Sequence, residues 1–333
     1  MRAVQVIAPG EAVFVDTPTP EIQPGHALIR TQLLSLCGSD IWMIDHSAPE
    51  KYPFPPGTSG HEMVGVVEAV SSPDGGVKPG DMTLTLVLGH RGMAEYYLAP
   101  LEHVLPLPAG KPIEYLLQAQ QLGTVIYASK RLPSLLDKTV AVIGQGSAGL
   151  WFDLIASRMG ARKVIGIDLQ AHRLALSPHY GVTDVIHNGI PGVGARSEAE
   201  TVQAIADLND GHLADVVIEA AGEIDAISLS VALAKERGHI LYFGVPRTGG
   251  NASIPFPYRS FFEKTLEAQA IVNAMSEPNQ SSSRLALRWI AEGIADPGPM
   301  LTHRFPFERT LEAYDLQRTR DEGALKIVIE MPS

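Results

Sequence analysis

Cysteine is almost missing from this 333-residue chain: Cys37, in the stretch "LLSLCGSDIW", is its single thiol. One cysteine cannot close an internal disulfide, so packing has to hold the fold, and a small secreted scaffold is excluded. Positive charge is also scarce. Twenty-six lysines and arginines face 37 acidic residues, for a formal net charge of -11. Such a balance repels a phosphate backbone and an anionic membrane surface, so neither nucleic acid nor membrane is an expected partner. Long apolar runs are absent too, because Gly, Pro or a charge cuts every candidate below the ~20 residues of a membrane helix. The start "MRAVQVIAPGEAVFV" shows no apolar segment behind a basic end. The cytoplasm is the expected location.

What is present changes texture along the chain. Residues 1 to about 110 read as β-rich, with runs such as "HALIRTQLL" and "EMVGVVEAV" set between Pro/Gly turns such as "PGH" and "KPGD". From Lys138 the pattern becomes "TVAVIGQGSAGLWFDLIASRMGARKVIGIDL": an apolar strand, a glycine turn, an amphipathic helix and a second buried strand. Strand-like runs recur at "DVVIEAAG" (215–222) and "GHILYFGVP" (238–246), with the helix-period stretch "AISLSVALAKER" between them, so the βαβ pattern continues and predicts a parallel sheet. After residue 271 come a helical stretch, "SSRLALRWIAEGI", and a last strand, "ALKIVIEM". On pattern alone, that tail either extends the nucleotide-type domain or returns to the first one. A length of 333 residues favours two domains.

Gly144, Gly146 and Gly149 form G-x-G-x-x-G directly after "KTVAVI" and open a helix through Ser147 and Ala148. The first glycine suits a tight turn, the second lets backbone approach a pyrophosphate, the third allows close helix-to-strand packing, and the helix N-terminus attracts the negative charge. Asp168 ends the following strand, 19 residues beyond Gly149. A carboxylate there accepts hydrogen bonds from adenosine ribose hydroxyls and repels a 2'-phosphate, which favours NAD over NADP.

Cys37 is followed after 24 residues by "HEMVGVV", with His61 and Glu62. Thiolate, imidazole and carboxylate are the ligand types of a catalytic zinc, although by residue type alone a buried thiol and a core histidine explain the same positions. The combination of C-G-S-D, G-H-E-x-x-G-x-V, K-P-G-D, "GMAEYYLAP" and a GxGxxG unit, in this order and across nearly the whole chain, resembles the medium-chain dehydrogenase/reductase superfamily. The match is to its zinc-dependent alcohol and polyol dehydrogenase branch.

That resemblance implies an α/β chain in three segments: a GroES-like β-rich catalytic domain (1–121), a Rossmann, doubly wound parallel-sheet domain binding NAD (122–271), and a return to the catalytic domain (272–333). It implies one catalytic zinc held by Cys37, His61 and Glu62, with Gln120 as a further ligand or, one residue along, Gln121. The four-cysteine structural-zinc lobe of relatives is replaced by "MTLTLVLGHR", so a second zinc is not expected. Ser39 matches the hydroxyl that passes on the alcohol proton, and Asp40 the acid that orients His61. Where many relatives end the proton relay in histidine, this chain has Trp42, which leaves His46 or water as the exit and Trp42 as a wall of the substrate pocket. Arg173, Gly222, Val245 and Lys326 match cofactor contacts, Lys326 near the pyrophosphate. His90 matches no family role and reads as a loop histidine.

The implied activity is NAD-linked oxidation of a secondary alcohol, such as a polyol or sugar, to its ketone, with zinc acting as a Lewis acid. A metal-free reductase of an activated alkene or quinone, and a non-catalytic NAD(H)-binding protein, are the alternatives. The edge-strand candidate "EAQAIV" (267–272) matches the segment through which relatives pair, so a homodimer or homotetramer is expected.

Overall fold

The computed structural model of the chain describes residues 1–72, 76–189, 195–246, 253–275 and 277–332. The chain divides into two compact units, Met1–Thr124 with Ala274–Ser333, and Val125–Asn273. The first is GroES-like and β-rich; the second is a Rossmann-type parallel sheet with helices.

In the first unit the strands run in the order Leu301–Pro306, Lys326–Glu330, His26–Ser35, Glu62–Val70, Met82–Leu86 and Val104–Pro106, and Tyr96–Pro100 also pairs with His26–Ser35. The apolar/polar alternation of "HALIRTQLL" becomes the alternating burial of its strand, as period 2 requires. Three neighbouring strands place Val328, Ser35 and Glu62 side by side. Register thus brings the C-terminal strand against the segment that begins with His61. The core packs Ile29, Leu34, Met63, Met93, Phe307 and Ile327.

The stretch "CGSDIW" leads into a helix, Gly38–His46, with Cys37 at its N-cap. Cysteine is not among the residues that favour this position, which is why no start signal stood out. The cap is completed instead by Asp40, whose carboxylate accepts the Cys37 amide at 2.9 Å.

Among its described residues the second unit has six strands, all parallel, in the order Asp184–His187, Lys163–Asp168, Thr139–Ile143, Ala214–Glu219, Ala234–Tyr242 and Glu267–Ala270. Numbered within the unit this is 3-2-1-4-5-6, the doubly wound order whose switch point lies between Thr139–Ile143 and Ala214–Glu219. Ile143, Ile165, Val217, Leu233 and Ile240 fill its core. The helix expected over "AISLSVALAKER" is shorter than its pattern: it spans Ile224–Leu233, and Ala234 already begins the strand. The Lys264 ammonium accounts for the stop. It donates to the carbonyls of Val231, Ala232 and Ala234 at 2.8–3.0 Å, satisfying acceptors that another helical turn would otherwise have used. Among the described residues no helix is long and apolar enough to cross a membrane.

Candidate active site

One strand and one helix start deliver the polar cluster of the first unit. Cys37 precedes the helix Gly38–His46, His61 precedes the strand Glu62–Val70, and Glu62 opens it. The Cys37 sulfur, a His61 ring nitrogen and a Glu62 carboxylate oxygen all lie within 4.8 Å of one another.

Glu62 is fully buried, and its two oxygens differ. Oε2 accepts from both the Ser35 hydroxyl and the Lys326 ammonium. Oε1 is buried with no hydrogen-bond partner. An orphaned carboxylate oxygen is costly unless something electropositive faces it. Sheet register explains the arrangement: Ser35 sits opposite both Glu62 and Val328, and Lys326, two residues before Val328, shares its strand face.

Asp40 organises the other side. It is fully buried, and its Oδ1 faces His61 Nδ1 at 3.1 Å, His90 Nδ1 at 2.8 Å and the Gly60 amide at 3.0 Å. Burial alone would raise the Asp40 pKa, but the charge and hydrogen bonds of the two imidazoles hold it well below the usual carboxylate range. Burial works against a charged His61 as well. Asp40 first, then Cys37, overrides it and pushes the ring well above its ordinary value. Burial opposes a Cys37 thiolate, while His61 outweighs it and holds the thiol below its normal range. A thiol, an imidazole and a carboxylate with one unpartnered oxygen form a donor set that fits a divalent cation with a preference for sulfur and nitrogen.

Ser39 and Trp42 lie on the same short helix, and the Trp42 Nε1 is buried without a partner. His46 ends that helix. Gln120 and Gln121 are buried at the start of the helix Ala119–Ser129, and Gln121 Oε1 has no hydrogen-bond partner.

Lys326 is not the solvent-facing cation that a pyrophosphate contact requires. It is fully buried, with its charge committed to Glu62 and its amine 3.5 Å from the Leu36 carbonyl. Its partner is 264 residues away, so no local pattern could reveal it. His90, read as a loop histidine, instead joins the cluster through Asp40. Its ring centroid is 4.3 Å from that of His61. The visible signal was only a histidine after a glycine in "LGHR".

In the second unit the glycine turn follows Thr139–Ile143 and feeds the helix Ser147–Arg158. Gly144 has φ +92°, and a Cβ there would meet Ala221 at 3.0 Å. A Cβ on Gly149 would lie 1.8 Å from the Gly144 carbonyl oxygen. Gly146 differs: the nearest atom to its Cβ would be Arg173 Nη1 at 3.9 Å. Two glycines are thus demanded by the fold, and the third keeps a surface open. Asp168 accepts the amides of Gln145 at 2.7 Å and Gln170 at 2.8 Å, with Arg173 Nη1 4.0 Å from its Oδ2. Gly222 (φ +77°) and Val245 meet beyond their strands, since a Cβ on Gly222 would lie 2.2 Å from the Val245 carbonyl oxygen. Beneath the turn, Asp153 is fully buried and receives the Gln145 amide at 3.5 Å, while its Oδ2 has no partner.

Residues 23–109 match the family described as "Alcohol dehydrogenase GroES-like domain" and residues 149–292 that described as "Zinc-binding dehydrogenase". The chain belongs to the medium-chain dehydrogenase/reductase superfamily, in its zinc-dependent alcohol and polyol dehydrogenase branch. Among relatives of this dehydrogenase, the D-arabitol-phosphate dehydrogenase of Enterococcus avium is 27% identical, over 99% of this chain and 97% of its own length. The L-threonine 3-dehydrogenase of Bacillus licheniformis is 28% identical over 96% of each chain. The alcohol dehydrogenase of Thermus sp. ATN1 shares the fold at TM-score 0.81 and 24% identity, with 100% of both chains covered.

Proposed function

We propose that this dehydrogenase interconverts a secondary alcohol, of the polyol, sugar or hydroxylated-metabolite class, and its ketone, using NAD and one zinc ion. The observation that carries the reading is the convergence of the Cys37 sulfur, a His61 ring nitrogen and a carboxylate oxygen of Glu62, whose Oε1 is buried without a hydrogen-bond partner. Held there by these residues, zinc would supply Lewis-acid polarisation of the substrate oxygen, and bound NAD would supply the hydride acceptor. Asp40 orients His61: facing the carboxylate, Nδ1 keeps its proton, so Nε2 is the nitrogen that would release its own to a bound metal. Ser39 takes the alcohol proton, and Trp42 walls the substrate pocket. Gln120 is the remaining donor, with Gln121 as its neighbour in the alternative frame.

The turn Gly144, Gly146, Ser147, Ala148 and Gly149 receives the pyrophosphate at the helix start, and Asp168 with Arg173 receives the adenosine ribose. Gly222 and Val245 serve the nicotinamide half. The relatives named for a polyol phosphate and for threonine support an oxygen-rich substrate. Glu267–Ala270 is the exposed edge of the six-stranded sheet, which supports pairing into a homodimer or homotetramer. The acidic balance and single thiol support a cytoplasmic location.

Zinc per chain, measured by elemental analysis on wild type and Cys37→Ser, tests the centre. The expected result is close to one zinc in the wild type, lost in the variant together with more than about 100-fold of the alcohol turnover. No zinc in protein that folds and binds NADH overturns the reading in favour of a metal-free reductase or a non-catalytic binder.

A further inference from the structure

Asp40 has a second imidazole that its position does not require. The His61 ring, the Gly60 amide and the Cys37 amide already reach its two oxygens at 2.9–3.1 Å. His90 nevertheless places its Nδ1 on the same Oδ1 as His61, and closer, at 2.8 Å against 3.1 Å. The chain is bent to bring it there. Strand Met82–Leu86 ends with Leu86 opposite Glu62, and the turn Leu88–His90 then reverses through Gly89 (φ 67°) and His90 itself (φ 54°). A non-glycine residue in this left-handed region costs about 1 kcal/mol. The turn is pinned from both sides, by Leu88 N donating to the Tyr97 hydroxyl at 2.9 Å and by Gly92 N donating to the Gly60 carbonyl at 2.9 Å. The His90 side chain stays about one-third exposed (32%), so burial of the ring does not explain its place.

We propose that His90 is a positioning residue of the metal centre: its Nδ1–H shares Asp40 Oδ1 with His61, locking the carboxylate and limiting how much of its charge His61 draws. The inference rests on the reading of Cys37, His61 and Glu62 as the zinc site. Its chemistry is that of a divided acceptor. A carboxylate oxygen that serves one imidazole polarises it strongly and makes the opposite nitrogen a more basic ligand; serving two, it polarises each less. Because the same carboxylate holds the Cys37 backbone, a swing of Asp40 on losing His90 would disturb two ligands together. Asp40, His61 and His90 also gather within 4.8 Å as a possible ligand set of their own, so the test has to separate a ligand from a positioning group.

The experiment compares wild type, His90→Ala, His90→Asn and His90→Gln for zinc stoichiometry, zinc affinity by chelator competition, and the visible spectrum of the cobalt(II)-substituted protein. Asparagine keeps a donor where Nδ1 stands; glutamine keeps bulk but carries its amide farther out. The expected result is one zinc in every protein, with affinity about tenfold weaker and a displaced cobalt band in His90→Ala and His90→Gln, and values within about twofold of wild type in His90→Asn. The zinc-free His90→Ala and His90→Gln proteins are expected to melt lower, each having lost a donor to a buried carboxylate, and the displaced cobalt band in folded protein is what separates positioning from a folding role; if His90→Ala fails to fold, the asparagine and glutamine pair decides. Unchanged affinity and spectrum in His90→Ala and His90→Gln overturn the proposal while leaving the zinc site standing, as does equal loss in His90→Asn. A wild-type stoichiometry of two that falls to one makes His90 a ligand instead. No zinc in the wild type removes the site reading itself, and this inference with it.

Discussion

Two buried aspartates, one in each unit, have opposite fates. Asp40 is packed among donors, two imidazoles and two backbone amides, and is held well below the usual carboxylate range despite complete burial. Asp153 is equally buried, meets one side-chain amide at 3.5 Å, and is pushed well above that range. Burial disfavours charge in both, so the difference is made entirely by what faces the oxygens. The contrast extends to the sites. The first unit builds its site from charged side chains that compensate one another. The second builds a site from missing side chains: two glycines where a Cβ would collide and one where it would fill open space. A charge-built site should break when one partner is removed, and a glycine-built one when a single methyl is added.

The largest expected effect of this kind is at Lys326. Replacing it with Met leaves Glu62 buried and uncompensated, a loss of roughly 3–5 kcal/mol. Urea unfolding of the zinc-free protein checks this. Adding Glu62→Gln removes the stranded charge, so the double variant is expected to recover most of the loss; additive losses would mean that the buried pair is not coupled.

Next in size is a pair of one-methyl changes in the turn. Gly149→Ala sets a Cβ 1.8 Å from the Gly144 carbonyl oxygen, and the forced separation is expected to cost about 3 kcal/mol and abolish NADH binding. Gly146→Ala adds the same methyl in open space. There stability is expected to stay within about 0.5 kcal/mol, while NADH affinity falls because the methyl stands in the proposed pyrophosphate site. NADH fluorescence titration alongside thermal melting separates the two. Equal behaviour of the two variants would refute the division of labour.

The same contrast governs what the sequence makes legible. Strands His26–Ser35 and Glu62–Val70 follow their alternating runs, and the parallel sheet follows the βαβ pattern, because period and turn chemistry are local. The glycine turn is legible for the same reason: its demands lie within six residues. The surroundings of Cys37 and His61 are not local. Lys326 reaches Glu62 only because three strands align Val328, Ser35 and Glu62, and His90 reaches Asp40 only through a left-handed turn 50 residues on. Neither partnership leaves a periodic trace. The helix Gly38–His46 carries no start signal of its own, because its cap is assembled from Asp40 rather than declared by a capping residue at position 37.

The smallest expected effect returns to Asp153 and sharpens the opening contrast. Its folded pKa lies above its ordinary value of 3.8. As pH rises from about that value toward the raised one, the unfolded chain releases a proton that the native state retains, so the native state loses stability across the window. Below the window both states are protonated and the penalty vanishes. Asp153→Asn keeps the shape of the neutral acid but has no proton to lose. It is therefore expected to be more stable than wild type by about 1 kcal/mol at pH 8, and equal to it near the ordinary carboxylate pKa. Melting temperatures of the two proteins across that range are the check. A constant gap would trace the effect to packing, and a gap that grows on acidification would mean that Asp153 is ionised in the native state, as Asp40 is.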